Sequence, residues 1–242
     1  MTSPRRSIVW FRRDLRIGDH PALNAAIESS DEIVPVFILD KSQIEEAGAK
    51  LLAYMGRSLR ALDQSLGNCL HIIAADQVEV LSELMQMYGA TEVHISDEYE
   101  RYGASRDARV EAAGIKLIRT GSPYAVAPGR VRKPSDDTPY RVYTPFYRAW
   151  CAHGWRAPAK TPTVINAPQP PDKYRAFPDF PMPEGVDVIE AGEAAALKRF
   201  KEFSKKAIDH YDEARNLAGI DGTSKMSTYL KFGEIHPRTL LA

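Results

Sequence analysis

Cysteine is scarce in this 242-residue chain: Cys69 and Cys151 are the only two. They stand in no metal-ligand spacing, and two cannot build the disulfide framework of a small secreted scaffold. A reducing compartment, the cytoplasm, is expected, and no metal site. Neither sign of charge is in excess, since Lys+Arg and Asp+Glu both number 32. That argues against a histone-like or tail-driven nucleic-acid binder but leaves room for a local basic face. No apolar run approaches the roughly 18 residues of a membrane helix, so no membrane association is expected. The N-terminus leads straight into a strand pattern without a signal-peptide apolar region. The first strand is followed by neither G-x-G-x-x-G nor G-x-x-x-x-G-K-[ST], which leaves a NAD-binding or P-loop function without support.

What is present suits a globular core: 44% of residues are hydrophobic, and the length fits one large domain, or one domain plus part of another. Short β-rich runs at Ile8–Phe11, Ile33–Leu39, His71–Ala75, Glu92–Ile95 and Ile115–Arg119 alternate with helical patterns at about 21–30, 47–67, 78–88 and 102–113. In the second of these, Leu52, Met55, Leu59, Leu62 and Leu66 form one apolar stripe, closed by Gly67-Asn68 as a C-cap signal. The alternation predicts an α/β fold: a five-stranded parallel, Rossmann-like, doubly wound sheet. Ligands on such sheets sit beyond the carboxyl ends of the strands. The charge-dense loop Arg12–Asp19 lies at one such end, and its charges are expected to organise the loop by pairing.

Beyond residue 123 the texture changes. Eight of the 17 prolines fall between Pro158 and Pro183, which reads as a long irregular linker over the surface. A helical island, Tyr143–His153, is expected to dock by burying Phe146 and Trp150. A long amphipathic helix follows at about 191–216, with Phe200, Phe203, Ala207, Tyr211 and Ala214 as its apolar stripe. A further helix begins near Ser227. The expected division is 1–130 for the α/β domain, 131–190 for the linker and 191–242 for the first helices of an all-α domain. In the last part Gly222 allows a tight turn, and Thr223, Ser224 and Ser227 put hydroxyls beside a helix N-terminus, an arrangement that suits an anion. On its own that pattern is also ordinary capping.

Two segments carry a resemblance to a known family. Trp10-Phe-Arg-Arg-Asp-Leu-Arg-Ile-Gly-Asp-His-Pro-Ala-Leu23 matches every fixed position of W-F-R-x-D-L-R-x-x-D-x-x-A-L, the opening signature of the DNA photolyase and cryptochrome family. Tyr211, then Gly222-Thr-Ser-Lys-Met-Ser227 and Leu230-Lys-Phe-Gly-Glu-Ile-His-Pro-Arg238, are similar to the start of that family's flavin-binding helical domain. Met226 stands where Leu is usual and His236 where Ser is usual. Thr144-Pro-Phe146 with Ala149-Trp150 matches an element at the far end of the family's α/β domain.

The resemblance implies a light-dependent lyase that splits cyclobutane pyrimidine dimers in damaged DNA by electron transfer from photoexcited reduced FAD. Tyr211, Thr223, Ser224, Lys225, Met226 and Ser227 would then contact FAD, with Lys225 and Met226 using mainly backbone, and Arg215 would contact the DNA backbone. No catalytic residue is expected within these 242 residues. Trp10, Trp150 and Trp155 lie outside the family's tryptophan electron chain. The resemblance also implies a longer helical domain than is present, so the chain is expected to be a fragment, monomeric and inactive alone. A second, antenna chromophore is implied for the α/β domain. Where folate-binding members carry Asn-Glu, this chain has Tyr102-Gly103, so a deazaflavin or flavin is favoured over a folate, and no antenna at all stays open. The alternatives are a cryptochrome-type blue-light photoreceptor of the same fold and a non-catalytic chromophore-binding module. An adenine-nucleotide α-hydrolase or electron-transfer-flavoprotein-like domain lacks its early glycine-rich loop here.

Overall fold

The computed structural model describes residues 4–186 and 188–242. Five parallel strands, β1 (Arg6–Phe11), β2 (Glu32–Ile38), β3 (His71–Ile73), β4 (Val93–Ile95) and β5 (Leu117–Arg119), form one sheet in the order β3-β2-β1-β4-β5. This is the doubly wound order, with the chain reversing direction across the sheet between β1 and β4. The strands are short, continuous and apolar because both faces are covered. Ile8 and Trp10 of β1 join one core with Val80, Leu81 and Leu84 of α4 (Gln77–Tyr88) and Val110 of α5 (Arg101–Ala112). Val9 and Phe11 join the other with Leu23 and Ala26 of α1 (Pro21–Ser29) and Leu59 and Leu62 of α3 (Ala49–Ser65). Each fully buried side chain of this size contributes about 1.5–3 kcal/mol. β2 pairs with β3 only from Val36 onward, one residue past Pro35, which has no N–H to donate.

Local chemistry sets the helix ends. His20 Nδ1 accepts the Leu23 N–H at the start of α1, and the Asp76 carboxylate accepts the Val78 N–H at the start of α4. Gly67 and Asn68 both adopt left-handed φ, +68° and +63°, where α3 ends. The region read as one helix at 47–67 holds only α3. A separate turn, α2 (Lys41–Glu46), precedes it, capped by Asp40.

Three expectations are corrected beyond the sheet. The proline-rich segment is not merely superficial. Tyr174 is fully buried among core side chains, the Ile33 N–H donates to Asn166 O, and the Ala176 N–H donates to Ile72 O. The segment thereby covers the β3 edge, whose backbone groups would otherwise stand open to other chains. The second correction concerns α6 (Tyr143–His153), which has the expected bounds but buries none of its residues; Phe146 is 37% exposed. Lastly, the helix expected at 191–216 breaks into α7 (Glu193–Lys206), a 3₁₀ turn at Ile208–His210 and α8 (Tyr211–Ala214). A continuous helix would set Phe203 and Tyr211 about 12 Å apart along its axis. The break brings their rings to 5.8 Å, edge to face. Two short helices, α9 (Met226–Phe232) and α10 (Pro237–Leu241), complete the described chain.

Candidate functional site

The loop after β1 carries four of the most deeply buried charges. Arg12 donates two hydrogen bonds to Asp107, at 2.8 and 2.9 Å, and a third to Ser96 O. Asp14 receives the Arg12 N–H and the Ser96 hydroxyl, and its Oδ2 lies 3.2 Å from His20 Nε2. Burial works against charge on Asp14, but His20 and Arg12 outweigh it and hold the carboxyl well below the usual range. Arg16 donates to Gly233 O and Asp19 O. Asp19 accepts from Arg238 Nε at 3.2 Å and from the Ala159 N–H at 2.7 Å, and lies 3.1 Å from His236 Nδ1.

The same loop therefore joins the sheet to the helices that end the chain. The Leu15 N–H donates to Phe232 O, and Glu193 of α7 accepts the N–H groups of Ile17 and Gly18. Gly233, at φ +67°, comes so close that a Cβ there would lie 1.9 Å from Arg13 O. The fully buried Glu234 gathers the Tyr54 hydroxyl at 2.7 Å, the Ser58 hydroxyl at 2.6 Å and the Gly192 N–H at 2.6 Å. These groups pair within the protein; their office is to hold the seam.

A cavity of about 550 Å³ opens above the carboxyl ends of β1 and β2. Its walls are Phe37, Leu39, Ile44, Leu51, Leu52, Met55 and Phe232, with Arg13, Asp40, Gln77, Glu98, Tyr102, Arg106 and Lys231 as polar lining. Asp40 receives Gln77 Nε2 at 2.8 Å and the Tyr102 hydroxyl. Burial raises the Asp40 pKa, but the Tyr102, Ser42 and Gln77 donors overcome it, and the carboxyl titrates below its ordinary value. Burial, then the neighbouring Asp40, pushes the Tyr102 phenol up to about 12. Gly103 leaves space for Glu98, whose Cγ would lie 1.9 Å from a Cβ at that position. The Glu98 side chain is 7% exposed; its Oε1 lies 4.0 Å from Arg13 Nη1 and has no hydrogen-bond partner among the described residues. An unmatched acceptor at the edge of an apolar cavity suits a flat, mostly apolar ligand bearing an N–H or O–H donor.

The residues expected to hold FAD and DNA lie elsewhere, and none lines this cavity. Tyr211 is half-exposed, packed against Phe203 and under the Arg215 guanidinium. Thr223 and Ser224 present backbone carbonyls to Arg199, at 2.7 and 3.1 Å. Lys225 adopts a left-handed φ of +57° and pairs with Asp221 at 2.9 Å. Met226 is buried and Ser227 exposed. Gly222 is required not by a left-handed turn but by contact, since a Cβ there would lie 2.7 Å from Ala214 O. That contact brings the Tyr211 turn beside the Thr223–Ser227 segment. Tyr102 and Gly103, singled out by sequence, do line the cavity, while Asp40 and Glu98 were missed. Leu52 and Met55, read as part of the apolar stripe of α3, line the cavity, and Met55 also packs against the core below it.

Sheet order and cavity together define a doubly wound α/β protein with a ligand space at the carboxyl edge, beside its topological switch point. Residues 7–168 match the DNA photolyase family model. An uncharacterized 31.6 kDa protein of Synechococcus sp. (strain PCC 6716) is 34% identical over 97% of this chain and 87% of its own length. The deoxyribodipyrimidine photo-lyase of Synechococcus sp. (strain ATCC 27144) is 32% identical over 94% of this chain and 51% of its own. The crystal structure of a class III photolyase from Agrobacterium tumefaciens superposes with a TM-score of 0.80 at 27% identity, covering 99% of this chain and 52% of that one. The chain belongs to the DNA photolyase family. It spans most of the first relative and about half the length of the photolyases it matches.

Proposed function

We propose that this chain forms the chromophore-holding α/β half of a light-dependent DNA-repair flavoprotein of the cytoplasm, and that its cavity takes a flavin or deazaflavin. The observation that carries this reading is the apolar cavity at the sheet's carboxyl edge, lined by Glu98, whose Oε1 accepts no hydrogen bond among the described residues. Glu98 would accept the ring N–H, Phe232 and Met55 would hold the ring faces, and Arg13 and Lys231 would meet a phosphorylated tail. Such chromophores supply the absorption of blue light and, for FAD in the parent activity, the electron that splits a pyrimidine dimer. Tyr211 and Thr223–Ser227, with 191–242 as the beginning of a helical domain, are proposed as one wall of the FAD site, and Arg215 as a DNA contact. A non-catalytic chromophore module is the second reading, favoured by the cavity sharing no residue with the Tyr211–Ser227 segment.

The test is titration of flavin mononucleotide, FAD and a 5-deazaflavin into the purified chain, followed by quenching of ligand fluorescence. Binding of at least one, weakened by Glu98→Leu and blocked by Ile44→Arg, is expected. Equal binding by wild type and Ile44→Arg, or none by any of the three, overturns the reading. Dimer splitting by the protein under light, absent in the dark, separates repair from the module reading.

A further inference from the structure

One surface of the protein has two independent features that agree. On α6 the aromatic rings stack upon one another instead of on the protein. Tyr143 and Tyr147 lie 5.7 Å apart at 16°, Tyr147 and Trp150 6.4 Å at 14°, and Trp150 and Trp155 4.7 Å at 28°. Tyr143 is 72% and Tyr147 49% exposed. The second feature is charge. In a chain with no net charge, the 34 residues 138–171 contain no Asp or Glu, while Arg141, Arg148, Arg156 and Lys160 fall among them. None of these four cations has an ion-pair partner among the described residues.

We propose that this face of α6 binds single-stranded nucleic acid, independently of any lesion and of any chromophore. Near-parallel rings at these separations give bases a stack to join at the Tyr143 end, and the unpaired cations of the same segment can meet the phosphates. Duplex, with its bases already stacked, offers the rings nothing. An apolar helix partner would satisfy the rings but leave three arginines and a lysine unpaired, and the absence of acids selects a polyanion. The surface shares no residue with the cavity or with the Tyr211–Ser227 segment, so its failure and the failure of the photolyase reading are separate results.

The experiment titrates undamaged oligo(dT) and a duplex of the same length into the full chain in the dark, reading tryptophan fluorescence. Quenching by oligo(dT) exceeding that by duplex is expected, with log K falling against log salt at a slope of about −3 for four cations on a single strand. Tyr147→Ala should weaken binding at least about tenfold; Arg148→Glu should weaken it and flatten the slope. No residue of α6 is buried, so both variants should keep the wild-type circular dichroism and Tm. No binding, equal preference for duplex, or oligo(dT) affinity unchanged in both variants overturns the proposal. So does sedimentation showing that the stacked face is instead buried between two copies.

Discussion

Replacing Glu234 tests the seam most directly. Its carboxylate takes three donors from two distant parts of the chain: Tyr54 and Ser58 on α3, and Gly192 at the start of α7. Glu234→Ala leaves all three without an acceptor. Ser58 can turn its hydroxyl to a carbonyl of its own helix, which leaves two buried donors at about 1–3 kcal/mol each. With the packing lost, the cost is about 3–6 kcal/mol, a Tm fall on the order of 10 °C for a chain of this length. Glu234→Gln keeps the shape and one carbonyl oxygen, while Tyr54 can turn its oxygen to accept from the new amide. It should lie within about 1 kcal/mol of wild type. The pH dependence adds a second readout. Burial raises the Glu234 pKa above its ordinary value, so the fold favours the protonated form. Its contribution is full below the unfolded pKa and is lost as pH rises through the raised folded one. Glutamine has no such loss, and the variant should gain on wild type as pH rises from 4 towards neutrality. Urea unfolding at several pH values measures both effects. An alanine variant as mild as the glutamine one, or a pH-independent difference between wild type and Glu234→Gln, refutes the reasoning.

Three further outcomes are expected. Gly233→Ala combines a left-handed φ with a clash against the Arg13 carbonyl and should cost roughly 2–5 kcal/mol in urea unfolding. Asp14 has a depressed pKa, so its stabilisation is present above the ordinary carboxylate pKa and fades as pH falls below it. Asp14→Asn should be destabilised by about 3–5 kcal/mol at pH 7 and show a shallower acid-unfolding slope than wild type. Tyr174→Ala should cost about 3–5 kcal/mol and, by releasing the segment over the β3 edge, raise light scattering on mild heating.

The sheet was legible because period and composition act locally. Every strand run in the sequence overlaps an observed strand, with β1 starting two residues and β2 one residue earlier than read, since β-branched runs between turn residues leave the backbone little choice. The break after Lys206 was not legible: the stripe Phe200–Phe203–Ala207 keeps helical spacing, and only the contact between Phe203 and Tyr211 decides against a continuous helix. Tyr174 was hidden for a similar reason, standing among prolines that read as surface while its ring enters a core built by residues far from it. The cavity was half legible. Tyr102 and Gly103 stand out only through the family resemblance, at the place of the folate-binding members' Asn-Glu, and Asp40 and Glu98 look like ordinary capping and loop acids until the space between them is seen. Arg16, Asp19, Gly233 and Arg238 belonged to two motifs read separately, and nothing in either motif says that they touch.

That contact has a consequence for how the molecule is made. During synthesis Asp19 leaves the ribosome early, and Arg238, its partner, follows 219 residues later. The sheet can form in the interval, but Arg16 waits for Gly233 and Asp19 for Arg238 of α10. The first loop of the chain is thus closed only once α10 has been made. A nascent protein halted before residue 232 would display the sheet's carboxyl edge, and the floor of its cavity, to any chaperone or protease at hand.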